Sequence, residues 1–344
     1  MIGIGIIGFG YWGPNLARVF AATPGCRLVA IADASGPALE HAGARHPAVR
    51  LETDWRALLT APDIDAVVIA TPVSTHYAMA SAALAAGRHV LVEKPMTDDV
   101  RQAEALVTQA QRCGRVLMVD HTFVYTPAVR KMRAMIDAGE IGDVYYYHST
   151  RINLGLFQSD VNVVWDLAAH DAAILGHLLD TPPAAVSANG VSHLPNRPEN
   201  MAHITLFFDG PGMAQISVNW LAPVKVRQTL IGGSRRMIVY DDLEPSEKVK
   251  VYDRGVSCET PQGDGDLHRM LISYRVGDMW APHLPIEEAL AVEAAHFVDC
   301  VANGRTPITD GHAGLRVVAI LDAACRSMRR RGQPIELAPL KAAS

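Results

Sequence analysis

The stretch IGIGIIGFGYWGPNLARVF, residues 2–20, decides the fold of this 344-residue chain. Residues 2–7 form a short β-branched apolar run that reads as a buried strand. GFGYWG follows at residues 8–13, and a helical pattern begins at residue 14. A strand that turns through glycines into a helix is where a dinucleotide pyrophosphate meets a helix N-terminus. In that reading Gly8 permits the tight turn, Gly10 lets the backbone approach the pyrophosphate, and Gly13 allows close helix–strand packing. The spacing alone also suits an ordinary glycine turn. Asp33 tips the balance: it ends the second predicted strand about twenty residues after Gly13, where a carboxylate accepts from adenosine ribose hydroxyls. The competing reading makes it a helix cap for the segment beginning near Gly36. Neither Ala34 nor Ser35 is basic, so a ribose 2′-phosphate would meet a carboxylate with no local cation, and NAD is expected over NADP. Phe9, Tyr11, Trp12 and Ala34 are counted with the glycines as cofactor-lining residues.

Outward from this segment, β-branched runs at 27–33, 66–70, 89–92 and 116–120 alternate with helical patterns near 14–22, 75–86 and 99–112. That alternation predicts a doubly wound parallel sheet, a Rossmann domain over residues 1–121. A helix near 128–138 follows, and then the texture changes. GDVYYYHSTRINLG, HITLFFDG, MAQISVNWLA, VRQTLIGGSRRMIVYDD and KVKVYDRG alternate in polarity between turn residues. Residues 122–344 are therefore expected to form an α+β domain with a large, open, mostly antiparallel sheet and helices at 286–303 and 313–330. The segment 259–265 reads as an exposed loop.

Composition excludes several alternatives. An apolar share of 49% and a charged share of 19% are ordinary for a globular enzyme. A net charge of −5 offers no basic face, so nucleic acid is not an expected partner. Five scattered cysteines, with no close pair, suit a reducing cytoplasm. Residues 2–7 lack the preceding basic region of a signal peptide, and no apolar stretch is long enough for a membrane span.

Two further segments carry the chemistry: EKP at 93–95 and WDLAAHD at 165–171. Asp166 and His170 are four apart, so on a helix they share one face, and the carboxylate orients the imidazole or stabilises its cation. Removing a proton from a secondary alcohol while its hydride leaves calls for a base that titrates near neutrality, the role for which His170 is the candidate. A cation such as Lys94 stabilises the developing alkoxide. The bland alternative, a hydrogen-bonded core histidine, stands beside this reading, as does a metal site at Asp166, His170 and Asp171, which lacks a further ligand cluster; no metal is expected.

With GFGYWGPNLARVF, ATPVSTHYAMASAALAAGRHVLVEKPM and GEIGDVYYYHSTRINLGLFQSDVNVVWDLAAHDAAIL in order, the chain resembles the Gfo/Idh/MocA oxidoreductases over essentially its whole length. The resemblance implies that Lys94, Asp166 and His170 are catalytic, and that Thr71, Pro72, His76 and Glu93 line the cofactor cleft. The second sheet's uncovered face, where HITLFF and QISVNW alternate apolar and polar side chains, predicts symmetric pairing to a homodimer, and the resemblance a doubling to a homotetramer. Two departures stand out: His121 occupies a position where many relatives have asparagine, and Ala168 replaces a common glycine. His121 is kept in the cofactor set as the residue at that position.

Residues 151–166 are expected to form one wall of the substrate cleft. There Arg151, Asn153, Asp160 and Asn162 offer polar groups to a polyhydroxylated ring, together with Lys94, Asp166 and His170. The WDLAxHD segment looks closest to members that oxidise the ring 3-hydroxyl of sugar nucleotides or of sugars in aminoglycoside assembly. An NAD-dependent sugar dehydrogenase is the leading expectation. A keto-sugar reductase running the same step backwards, and a non-enzymatic dinucleotide-sensing regulator of the same fold, are the alternatives. Elsewhere, Asp310 reads as a helix N-cap, Arg329 to Arg331 as a helix end, and the 145–147 tyrosines as straddling both faces of a strand.

Overall fold

A computed structural model describes residues 1–155, 157, 161–259 and 271–338. The chain divides into two compact units, Met1–Thr126 with Ile286–Asp322, and Pro127–Pro285 with Ala323–Ser344.

The first unit alternates strands and helices: β1 (Ile2–Ile7), α1 (Gly13–Ala22), β2 (Cys26–Ala32), α2 (Gly36–Arg45), β3 (Arg50–Glu52), α3 (Arg56–Thr60), β4 (Ala66–Ile69), α4 (Val73–Ala85), β5 (His89–Glu93), α5 (Val100–Cys113) and β6 (Leu117–Asp120). The strands lie in the order β3-β2-β1-β4-β5-β6, all parallel. Ile4, Ile6, Val67, Val68, Leu91 and Val92 are fully buried. Strands covered on both faces have no solvent side to mark with polar residues, hence their continuous apolar runs. The order reverses between β1 and β4, the switch point at which such sheets bind ligands.

The second unit contains α6 (Pro127–Asp137), β7 (Val144–Leu154), a π-helical turn over Val164–Ala168, α7 (Ala169–Leu178), β8 (Ala185–Val191), β9 (Met201–Phe207), β10 (Met213–Asn219), β11 (Leu221–Gly233), β12 (Met237–Asp241), β13 (Val249–Glu259) and β14 (Leu271–Trp280). After α8 (Ala289–Asn303) and α9 (Gly311–Arg329), β15 (Ile335–Glu336) closes the described chain. Its sheet runs β14-β13-β12-β11-β7-β10-β9-β8-β15. Only the β7–β10 pair is parallel among the described strands. On β9 Ala202, Ile204 and Leu206 are buried while His203 and Phe207 are exposed, and β10 repeats the pattern with Ala214, Ile216 and Val218 inside. That alternation is the signature read from HITLFF and QISVN.

The two compact units differ from the expected division at residue 121 on the C-terminal side. Residues assigned by sequence to the second domain, Ile286–Asp322, group with the first unit. The apolar stripe of α8 is the reason: Phe297 meets Phe20 of α1 edge to face at 6.1 Å. The segment after α8 adds backbone ties, with Val119 N donating to Thr309 O at 2.8 Å and Met118 bridging Asp310. Asp310 caps α9 as expected, its Oδ1 accepting from Ala313 N at 2.8 Å. Among the described residues no helix is long and apolar enough to cross a membrane.

Candidate active site

The glycine loop is shaped by contacts that forbid side chains at two positions and leave room at a third. Gly8 has φ +97°, and a β-carbon there would lie 2.5 Å from the Ala70 carbonyl oxygen. One on Gly13 would lie 2.2 Å from the Gly8 carbonyl oxygen. At Gly10 a β-carbon would meet nothing within 4 Å, and the residue is exposed. A crowded turn below with open space above it, at the start of α1, suits a bound pyrophosphate. Asp33 stands beneath the loop. Its Oδ2 accepts from Phe9 N at 2.6 Å and its Oδ1 from Ser35 N at 2.8 Å. It is not the helix cap of the competing reading, because Ser35 is the N-cap of α2. Each carboxylate oxygen retains acceptor capacity for a ribose hydroxyl. The Phe9 ring is buried against His41 and His46, so only its backbone serves the loop. Tyr11 is 91% exposed and stacks on Trp12 at 6.3 Å, and Ala34 is exposed.

The ends of β4, β5 and β6 complete this half. Buried His76 has Nδ1 2.9 Å from Pro95 O and Nε2 2.8 Å from Thr71 O. Burial lowers its pKa against the pull of the two carbonyls, and a neutral ring, with one N–H, donates to only one of them. The Thr71 and Thr75 hydroxyls lie 2.7 Å apart, and Pro72 sits just ahead of α4. Half-buried Glu93 accepts from Lys94 N at 3.0 Å. Burial first, and then the charge of Asp120, push its carboxyl well above the usual range. Asp120 itself is 3% exposed. It accepts from Trp12 Nε1 at 3.1 Å and from the Thr122 hydroxyl. His121 is buried, neither ring nitrogen has a hydrogen-bond partner, and burial pulls its pKa down to about 4. Its ring is thus neutral and enclosed, unlike the open loop residues.

In the second unit, Asp166 lies within the π-helical turn and His170 is the second residue of α7, so the four-residue spacing crosses a change in helical winding. Single π-turns recur at functional sites. Both side chains are half-buried. Trp220, 1% exposed, donates from Nε1 to Asp166 Oδ2 at 3.0 Å. Asn162 acts as a local cap. Its Oδ1 accepts from Val164 N and Trp165 N at 3.2 and 3.3 Å, and its Nδ2 donates to Glu199 at 3.0 Å. Arg151, read from sequence as part of the substrate wall, turns inward. It is 4% exposed, with Nε 2.7 Å from Asp171 Oδ2. Asn153 is half-buried on β7, and Asp160 lies outside the described residues.

Comparison with known proteins gives the family. Residues 2–121 match the model of the oxidoreductase family's NAD-binding Rossmann fold, and residues 133–337 match that of its C-terminal alpha/beta domain. The chain belongs to the Gfo/Idh/MocA oxidoreductase family. Among similar family members is UDP-N-acetylglucosamine 3-dehydrogenase of Acidithiobacillus ferrooxidans, 30% identical over 92% of this chain and 93% of its own. The scyllo-inositol 2-dehydrogenase (NAD(+)) of Bacillus subtilis is 26% identical over 98% and 95%. A solved structure of the Acidithiobacillus enzyme superposes with a TM-score of 0.79, covering 96% of this chain and 98% of that one. The first unit of this Gfo/Idh/MocA oxidoreductase therefore carries an NAD-binding Rossmann fold, as its glycine loop indicates. Sequence reading overlooked Trp220, Asp120 and Glu293. Only the aromatic at the end of QISVNW hinted at the first, because nothing in local spacing reveals a partner so far along the chain.

Proposed function

We propose that this protein is an NAD-dependent dehydrogenase that oxidises a secondary ring hydroxyl, the 3-position favoured, of a sugar, amino sugar, aminoglycoside or sugar nucleotide. The observation that carries the reading is the near-full-length similarity to a UDP-N-acetylglucosamine 3-dehydrogenase in a chain whose sequence has all three of Lys94, Asp166 and His170. A pure dinucleotide sensor has no need of that set. Bound NAD supplies the hydride acceptor. In the proposed step His170 takes the hydroxyl proton while the carbinol C–H bond breaks with its electron pair, leaving a carbonyl. The Lys94 ammonium stabilises negative charge on the reacting oxygen, and Asp166, fixed by Trp220, supports the imidazolium. Asn153 and Asp160 stay assigned to sugar recognition. The test is incubation of the purified protein and NAD+ with sugar nucleotides, free amino sugars and aminoglycosides, following nicotinamide absorbance. Oxidation of one class with a 3-keto product is expected. Turnover only of keto sugars with NADH would make it the reductase, and no turnover in either direction would overturn the enzymatic reading.

A further inference from the structure

Three carboxyls gather in the first unit for which the hydride chemistry has no stated use. Asp120 at the end of β6 is the register partner of Glu93 at the end of β5. Glu293 of α8 is 1% exposed, and neither of its carboxyl oxygens has a hydrogen-bond partner. Burial first, and the neighbouring Asp120 next, push Glu293 well above the usual carboxylate range. Of the three, Asp120 is the one that accepts from two side-chain donors, Trp12 Nε1 at 3.1 Å and the Thr122 hydroxyl. The charge of Asp120 favours protonated forms of Glu93 and Glu293.

The Trp12 bond links this cluster to the loop. Trp12 is the N-cap residue of α1, and no side chain caps that helix. Asp120 is 108 residues away in sequence. A single indole N–H therefore joins the glycine loop to the strand end next to Glu93 and Lys94. Among the described residues, the bonds of Gly8 N to Ala32 O and Phe9 N to Asp33 are what otherwise fasten the loop's first half, whereas Gly10 and Tyr11 stand exposed.

We propose that Asp120 is a positioning residue for the dinucleotide loop, holding it through the Trp12 indole in the conformation that receives the pyrophosphate. This rests on the NAD-binding reading and not on the choice of sugar. Loss of the bond should loosen the loop and weaken NAD+ and NADH alike. Asparagine can replace aspartate here: its carbonyl oxygen accepts from Trp12, which can only donate, while its amide donates to Thr122, whose hydroxyl can turn to accept.

The experiment combines dinucleotide calorimetry with hydrogen exchange on the ligand-free protein for Trp12→Phe, Asp120→Ala, their double variant and Asp120→Asn. Each single loss should raise both dissociation constants about tenfold, as expected for one charge-assisted hydrogen bond. The double variant should add no more than about twofold, because both changes remove the same bond. Asp120→Asn should stay within about threefold of the parent. In the ligand-free protein, amides of residues 9–13 should exchange faster in the two single-loss variants and at the parental rate in Asp120→Asn. Additive losses, or parental affinity and exchange in Trp12→Phe, would overturn the proposal. A parent that binds neither dinucleotide would instead defeat the NAD reading, and loop exchange would still decide the latch.

Discussion

The Arg151–Asp171 pair sets up a stringent test of the second unit, because it places full charges in the core directly beside His170. The side chains are 5% and 3% exposed, with contacts of 2.7 and 3.4 Å. Removing one member leaves the other charged and without its counter-ion in a medium that solvates it poorly. Such single losses cost about 3–5 kcal/mol. For a unit of this size each kcal/mol moves the midpoint by roughly 2–4 °C, so Arg151→Met or Asp171→Leu should lower Tm by about 6–20 °C. The double variant replaces both charges with apolar groups of similar bulk, and should return to within about 1 kcal/mol of the parent. Scanning calorimetry of the four proteins closes a double-mutant cycle whose coupling should exceed about 2 kcal/mol.

The same double variant tests the sequence expectation that Arg151 binds substrate. With the guanidinium turned inward, KM should change less than about threefold once packing is restored. A guanidinium that bound substrate would leave a site built around a missing hydrogen bond, with a loss far above tenfold. Single variants that melt within about 2 °C of the parent, or a double variant equal to the sum of the singles, would refute the account of the buried pair.

Lys94→Ala and His170→Ala should each lower turnover by roughly two to four orders of magnitude with dinucleotide binding retained by calorimetry; near-parental turnover in either, with an unchanged melt, would remove that residue from the chemistry. NAD should bind more tightly than NADP because Asp33 repels a 2′-phosphate. Asp33→Ala should narrow the ratio while also loosening the loop, since Phe9 N loses its acceptor at 2.6 Å, and equal parental affinities would contradict the role. Glu293 has a folded pKa raised above the unfolded value of about 4.3, so its contribution is complete below that value and is lost as pH rises through the folded pKa. Melts taken at pH rising from that value should therefore fall more steeply for the parent than for Glu293→Gln, and parallel curves would discount burial of that acid. Tyr146, Met213 and Phe207 are register neighbours across three strands and are 39%, 42% and 39% exposed, a stripe that a second copy of the chain would cover. Light scattering should give a dimer or tetramer, disrupted by Met213→Glu, and a monomer of 37.1 kDa at working concentrations would end that expectation.

Legibility in this chain followed burial. The run at 2–7 matches β1, and β4, β5 and β6 fall within a residue or so of their expected ends, because strands covered on both faces must be continuously apolar. Among the elements that went unread, β3 is the edge strand of its sheet and α2 packs beside it. Helix α2 buries only Leu39 and Ala42, and β3 is three residues long with none buried. A segment that hides so little surface needs little hydrophobic periodicity, and periodicity is what a sequence reveals. The grouping of α8 with the first unit went unread for a related reason: α8 reads as an amphipathic helix wherever it packs, and nothing local says that Phe297 will meet Phe20.

At the site the limit is different, because chemistry depends on which partner a polar atom finds. Gly8 and Gly13 could be read because their demand is steric and local to one turn. Asp33 was half legible: its position announced a carboxylate under the loop, but not that Phe9 and Ser35 amides would hold it there. Arg151 and Asn162 have the same residue types as sugar-binding groups, yet one is committed to Asp171 and the other to the amides of Val164 and Trp165. Residue type states what an atom can bond to, and the fold decides whether that capacity is still available. Asp166 shows the point most sharply. Its spacing from His170 suggested a plain helical pair, whereas its setting is a π-turn with an indole from the end of β10 aimed at its Oδ2. Trp220 is fully buried, so its N–H must find an acceptor inside the protein, and Asp166 is the one it finds. Packing and site geometry are thus one constraint at that residue: filling the core with tryptophan also fixes the carboxylate proposed to steady His170.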